Sequence, residues 1–469
     1  MLKRILSLII ICGVAGYLYF FGFQHLKRFV GYNVPEQTDL PTQITGSPDL
    51  SYLKLPEGFK ISIFAKDLTN PRVIAFDFSG KMAVSETKKG DVVLLEDEDN
   101  DGVAESKKIL IANLKSPHGL AFYKDVKTNT NYIYIAEEHQ VARYKYNVSK
   151  SEIDLNLVEN IASLPSGGGH FTRTIAFGPN YRTAPLVNGI SLPISNIKLY
   201  ISVGSSCDVC VEKSTWKRAS ILESDLDGNY TAEFAGGLRN SVFFAFHPQT
   251  GQMWATEMGR DNLGDNLPPD EVNIVKVADV SDKYGAKRYG WPFCYGNQVK
   301  DATFEPDKVD PEKSKSNLGT SPEKSKSNLG TSRIDIPQDC SQTESPVIEV
   351  KPHSAPLGLA FIPQASGWPK EWQGDLLVAL HGSWNSTVPV GYKLIRYDLD
   401  EDGKVLSQQP ADFITGWLVP SKTEGFKGNP LASSKQEIYG RPVDLKFDSS
   451  GSLYISDDSA GIIYKVSPR

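Results

Sequence analysis

Basic and imidazole side chains stand at recurring points of this sequence: Arg72, His118, His170 with Arg173, Arg239 with Asn240, His353 and Arg441. Guanidinium groups bind carboxylates and phosphates through paired N–H donors. An imidazole, with an unperturbed pKa of about 6.5, is the usual proton acceptor at neutral pH. Any one of these residues alone reads as a satisfied hydrogen bond to a neighbouring loop. As a set, each at the same point of a repeated unit, they read as a site for an anion with several carboxylates or phosphates. His170 is the general-base candidate. It follows Ser166-Gly167-Gly168-Gly169, and glycine lets a ligand approach the backbone closely.

The unit that these residues precede is a short apolar strand followed by a second one. The first strands open at Val73, Gly119, Thr174, Phe243, Gly358 and Val443. The second strands open at Lys81, Tyr132, Leu199, Met253, Leu376 and Leu453. Repeated short strands, glycine-containing turns and almost no helical periodicity predict an all-β fold, a six-bladed β-propeller. A pair of β-sandwiches would not explain six similar units. In a propeller the innermost strands run parallel around a channel, so the residues before them converge on one mouth. The stretch Gly236–Asn273 shows the arrangement locally. Val242–His247 and Gln252–Thr256 read as a hairpin around Pro248-Gln249-Thr250-Gly251. That hairpin brings Arg239 and Asn240 beside a loop of Glu257, Arg260, Asp261, Asp265, Asp270 and Glu271.

Residues 52–469 form the expected propeller domain. Before it, 1–27 reads as a single transmembrane or signal-anchor helix and 28–51 as a linker. Ile5–Phe23 carries no charge, Lys3 and Arg4 precede it, and His25, Lys27 and Arg28 follow. Its length is near the lower limit for a membrane span. A cleaved signal peptide is the alternative, but no small-x-small cleavage site is present. The expectation is an inner-membrane anchor with the body on the periplasmic face. Cys207, Cys210, Cys294 and Cys340 suit two disulfides in an oxidising compartment, the first local and the second closing an insertion. That insertion spans 300–345 and contains Pro311–Ser321, repeated without change as Pro322–Ser332. It is lysine- and serine-rich, and reads as a disordered surface segment. The net charge of −6 argues against nucleic-acid binding.

Ordered phrases then carry a resemblance. They are Gly169-His170 leading to Ala176-Phe177-Gly178-Pro179, Gly237-Leu238-Arg239-Asn240, and Gly259 through Glu271. Next come Tyr289-Gly290-Trp291-Pro292-Phe293-Cys294, His381-Gly382-Ser383-Trp384-Asn385 and Gly440-Arg441-Pro442-Val443. From Leu55 onward the chain resembles the quinoprotein sugar dehydrogenases of the soluble glucose and sorbosone dehydrogenase superfamily, and is closer to the sorbosone branch. The resemblance implies pyrroloquinoline quinone (PQQ) and a calcium ion as cofactors, and a small sugar as substrate. His170 matches the catalytic base. Arg239 matches the group beside the quinone carbonyl, Asn240 helps hold the cofactor, and Arg441 matches an arginine on a cofactor carboxylate. Backbone carbonyls at Gly259 and Arg260 match the calcium ligands. His381 stands near a family lysine that contacts the cofactor, and Arg260 stands at a family proline. His353 and Trp384 are further pocket residues. Electrons would pass to a separate acceptor, a quinone or cytochrome, because Val211 follows Cys210 and no CxxCH haem motif is formed.

Two rival readings remain at this level. A calcium-dependent lactonase would need carboxylates pointing into the channel. A non-catalytic binding propeller would use the mouth residues only to hold loops. The D-x-D-x-D-G runs at Asp97 and Asp398 lack the twelfth-position glutamate of an EF-hand, with Lys108 and Gln409 there instead. They read as solvated hairpin tips.

Overall fold

Each repeat folds as a four-stranded antiparallel sheet, and six of these blades make the predicted propeller. The computed structural model describes residues 34–38, 40, 49–181, 197–212, 215–279, 285–304, 337–365, 367–420 and 436–469. The anchor at 1–27, most of the linker and the duplicated 311–332 stretch lie outside the described residues. No helix among the described residues is long and apolar enough to cross a membrane.

From the inside out, blade 1 is Pro71–Phe76, Met82–Glu86, Asp91–Glu96 and Ser106–Ile111. Blade 2 is Leu120–Asp125, Thr130–Glu137, Gln140–Asn147 and Glu152–Ser163. Blade 3 is Ile175–Pro179, Ile197–Val203, Ser220–Ser224 and Thr231–Gly236. Blade 4 is Phe244–Phe246, Met253–Glu257, Asp270–Val275 and Ile348–Val350. Blade 5 is Pro356–Phe361, Leu376–Leu380, Lys393–Tyr397 and Ala411–Ile414. Blade 6 takes Pro442–Phe447, Leu453–Asp457 and Ile462–Pro468, and borrows Phe59–Ala65 as its outer strand. That borrowed strand closes the ring.

Second strands are buried on both faces, because a blade packs on either side of each. This is why they read as apolar runs, such as Leu376–Leu380, rather than as alternating ones. The insertion lies inside blade 4, between its third and fourth strands, and not between two blades. Ahead of it in the same connection, Lys287–Arg288 adds a parallel edge to blade 3. Both expected disulfides form, Cys207–Cys210 and Cys294–Cys340.

Polar side chains at the inner ends of the second strands stitch the blades together. Ser202 Oγ accepts from Thr174 N in its own blade and donates to Val242 O of the next chain segment, at 3.0 and 3.1 Å. Ser456 does the same between Asp444 N and Arg72 O, and Thr256 reaches Leu357 O of blade 5. One residue further, a carboxylate caps the strand and holds the loop leading into the channel. Glu86 accepts from Thr69 N, Glu257 from Asn240 N, and Asp457 from Arg441 N. Glu137 likewise accepts from Lys115 N at the end of the second strand of blade 2. Burial pushes the Glu257 carboxyl up to about 8 and that of Asp457 to about 7.

Candidate functional site

The hairpin of blade 4 delivers Arg239 and Asn240 beside the acidic loop, as its sequence requires. Phe244–Phe246 is shorter than the expected strand, and ahead of it Asn240 N and Ser241 Oγ donate to Glu257 at 3.0 and 2.5 Å. His170 comes from the loop entering blade 3. The two approach across Gly204: a Cβ there would stand 2.6 Å from both Asn240 Oδ1 and His170 Cβ. Only bare backbone fits between them. The Asn240 Oδ1 atom is buried and has no hydrogen-bond partner among the described residues.

His170 Nδ1 lies 2.9 Å from Ser205 O and 3.0 Å from Ser205 Oγ. The hydroxyl is spent as a donor to Cys207 O, and a carbonyl can only accept. Nδ1 therefore carries the proton, and Nε2 keeps its lone pair. Nε2 makes no hydrogen bond among the described residues. Burial, and then the charge of Arg239, push the imidazole down to about 3, so it is neutral at pH 7. Arg173, expected at the mouth, is instead fully buried. It donates to the carbonyls of Pro165, His170, Thr172 and Glu138 and builds the turn that carries His170.

Arg239 is fixed on several sides. Nε donates to Asp208 O and Nη2 to Asp208 Oδ1, each at 3.0 Å. Nη2 also reaches Asp261 Oδ2 at 3.0 Å, and Nη1 reaches Met258 O at 3.3 Å. Asp261 in turn accepts from Asn385 on the loop that carries Trp384. Trp384 itself is half exposed. Asp265 accepts from Thr387 N at 3.0 Å, so the acidic loop and the Trp384 loop are fastened together.

A second cluster gathers around Asp458, just past the second strand of blade 6. Arg72 Nη1 meets Asp458 Oδ2 at 2.7 Å, and His381 Nε2 meets Oδ1 at 2.9 Å. Burial alone would raise the Asp458 carboxyl, but His381 and Arg72 outweigh it and hold it well below the usual range. Burial and Arg441 push His381 down to about 4. At neutral pH His381 is thus a neutral donor to an ionised Asp458. His118 is buried completely. Burial and Arg72 keep it neutral, and its Nε2 has no partner among the described residues. Arg441 Nε and Nη2 donate to the carbonyls of His381 and Gly382, and the guanidinium lies 5.3 Å from the Tyr392 ring centre. Nη1 bonds nothing among the described residues, and Arg441 has no carboxylate partner there.

The expected ring of free positive charge therefore needs correcting. His118, His170 and His381 are neutral, and Arg72 and Arg239 are matched by Asp458, Asp208 and Asp261. His353 does not face a ligand through Nε2, which lies 2.8 Å from Gly264 O and holds the acidic loop. The Arg260 side chain turns away to Asp301 and Thr303. Gly259 N donates to Asp270, while the Gly259 and Arg260 carbonyls accept no hydrogen bond among the described residues. Side-chain groups able to hold a metal, among the described residues, are found elsewhere. One is Asp97, Asp99, Asp101 and Glu105, at the expected hairpin tip. The other is Cys207, Cys210 and Glu212, whose sulfurs are joined and whose carboxylate holds Ser206. Sequence reasoning missed Ser205, Asp208 and Asp458, while Asp261 meets Arg239 from the acidic loop where it was expected. The acidic pair Asp457-Asp458 directly after a second strand was the one available signal.

A six-bladed propeller with a neutral imidazole, arginines and carboxylates at its mouth is the class of protein these observations define. Residues 53–469 match the family described as TrAA12-like, and the chain belongs to that family. It is 24% identical over 433 residues to the "Pyrroloquinoline quinone-dependent sugar dehydrogenase" of Hypocrea jecorina, covering 87% of each chain. It is also 24% identical over 451 residues to the "Pyrroloquinoline quinone-dependent pyranose dehydrogenase" of Coprinopsis cinerea. That match covers 90% of this chain and 55% of the relative, so the chain spans about half of that enzyme's length. Solved iodide and calcium structures of the Trichoderma reesei family AA12 enzyme share the fold. Their TM-scores are 0.63 and 0.61, each at 22% identity and 89% coverage of this chain, with 98% and 97% of those chains covered.

Proposed function

We propose that the protein is a quinoprotein dehydrogenase that oxidises a sugar, or a sugar-derived aldehyde or polyol. The observation that carries this reading is His170: neutral, fixed through Nδ1 on a carbonyl, with Nε2 unbonded among the described residues and the charge of Arg239 near enough to act on the ring. The names of the curated relatives support PQQ as its cofactor.

The residues present fit such a group. PQQ is a planar quinone with several carboxylates, and Arg441 offers a guanidinium that no carboxylate matches. Asn240 offers a buried amide oxygen without a partner. The free carbonyls of Gly259 and Arg260 are hard oxygen donors of the kind that calcium takes. When bound, the quinone supplies a two-electron acceptor for the hydride leaving the sugar carbon. The chain's own part is to hold and move charge. His170 Nε2 takes the proton of the sugar hydroxyl, and the neutral imidazole is ready to do so without first losing one. Arg239, held rigid, presents fixed positive charge where negative charge develops. Arg441 anchors a carboxylate of the cofactor. Trp384 and His381 flank this space from blade 5.

A lactonase is not favoured, because the carboxylates at the mouth are already engaged: Asp208, Asp261 and Asp458 by arginines, and Asp265 and Asp270 by loop N–H groups. The two disulfides and the apolar 5–23 stretch support a body on the periplasmic face, anchored in the inner membrane and passing electrons to a separate quinone or cytochrome. The test is calorimetric titration of PQQ with calcium, followed by sugar-dependent bleaching of an electron-accepting dye. Absence of quinone binding at micromolar protein sinks the reading.

A further inference from the structure

Arg239 and His170 stand on different loops, yet one short segment, 205–212, holds them both. We propose that Asp208, carried on the loop that the Cys207–Cys210 disulfide closes, is a positioning residue that fixes the plane of Arg239 and offsets its charge. This rests on the functional reading above, in which Arg239 faces the reacting atoms.

The contacts are specific. Asp208 supplies two acceptors to one guanidinium: its backbone oxygen to Nε and its Oδ1 to Nη2. The same backbone oxygen accepts from Trp291 Nε1 at 3.0 Å, and the same Oδ1 from Asp261 N at 2.7 Å. Asp208 is thus clamped by blade 3, by the Trp291 turn and by the acidic loop. The burial of the pair is uneven: the Arg239 side chain is 6% exposed and that of Asp208 31%. An outer carboxylate is steering an inner cation. The disulfide joins the residues on either side of Asp208-Val209, which limits how far that carboxylate can swing. Ser205 Oγ donates to Cys207 O at 2.6 Å, and Ser205 O receives His170 Nδ1, so the tautomer of His170 depends on the same closed loop. Glu212 fastens the segment by accepting from Ser206 N and Oγ.

Charge and orientation then predict opposite effects on binding and turnover. Removing the Asp208 charge leaves the Arg239 charge less compensated, so an anionic quinone is held no more weakly. It also lets the guanidinium turn, and a misplaced catalytic group costs on the order of tenfold to a hundredfold in rate. A residue that merely supported the fold would weaken both together.

The test uses the full chain as Asp208→Asn and, separately, as Cys207→Ser with Cys210→Ser. In the unloaded protein, nitrogen-15 NMR reads hydrogen exchange at Arg239 Nε–H and the ring tautomer of His170. Exchange should quicken on the order of tenfold in both variants. The single tautomer should become a mixture in the double serine variant. With PQQ and calcium, Asp208→Asn should bind with equal or tighter Kd while kcat falls on the order of tenfold or more. Unchanged exchange in both variants overturns the proposal, as does a kcat that stays at the wild-type value. Parallel losses in Kd and kcat also overturn it, because they indicate a purely structural role. If wild type takes up no quinone, the dehydrogenase reading fails, while the exchange measurement on unloaded protein still decides the role of Asp208.

Discussion

His170 and His381 sit at the same mouth, are both partly buried and are both neutral at pH 7, yet they are prepared for different work. His170 spends Nδ1 on a carbonyl and leaves Nε2 as an open acceptor. His381 spends Nε2 as a donor to Asp458, which Arg72 also holds. The depressed pKa of each has the same leading cause, burial, so it does not distinguish them. What differs is where the engaged nitrogen is committed: His170 Nδ1 is tied to a backbone carbonyl and leaves Nε2, whereas His381 Nε2 is tied into the Arg72–Asp458 ion pair.

The comparison can be broken most directly at the imidazoles. His170→Ala should lower kcat on the order of a hundredfold to ten-thousandfold, as loss of a general base does, with PQQ affinity retained. His381→Ala should leave kcat far closer to wild type. Steady-state turnover with a dye acceptor measures both, and equal losses would erase the distinction.

A large stability effect comes next. Asp458→Ala strands Arg72 without a counter-charge in a site where both side chains are about one-tenth exposed. The expected cost is about 3 kcal/mol, read from urea unfolding. A smaller change is expected at Arg441, the guanidinium without a carboxylate. Arg441→Ala should weaken PQQ binding on the order of tenfold to a hundredfold by calorimetry, with little change in unfolding midpoint.

The smallest effect concerns pH. Burial raises Glu257 to about 8 in the folded chain. Such an acid holds its proton more tightly folded than unfolded, so its stabilising contribution is lost as pH climbs through the folded value. The melting temperature of wild type should fall by a few degrees between about pH 5 and about pH 8 and level off above that. Glu257→Gln, which cannot ionise, should flatten that decline. Asp457, Asp270 and Glu271, each raised to about 7, contribute the earlier part of the slope in both proteins.

The blades were legible because each inner strand and its neighbour are continuous apolar runs bounded by glycine turns. Mouth residues were legible by position alone, since the start of every inner strand opens on one face. What escaped was the company they keep. Arg72 and Asp458 lie 386 positions apart, and Arg239 and Asp208 lie 31 apart in different blades. No local pattern encodes such pairs, so side chains that looked like free cations proved to be matched. The place of the insertion within blade 4 was not legible either, because Ile348–Val350 is too short to announce that the blade resumes after it.

Phe59–Ala65 lies at the rim of the last blade, hydrogen-bonded to Ile462–Pro468. During synthesis, that early strand must wait for nearly the whole polypeptide before it finds its neighbour. Until they meet, Arg72 cannot reach Asp458, and the pocket lacks one wall. A ribosome-stalled or C-terminally clipped chain would therefore carry five blades' worth of ordered sheet and no competent mouth.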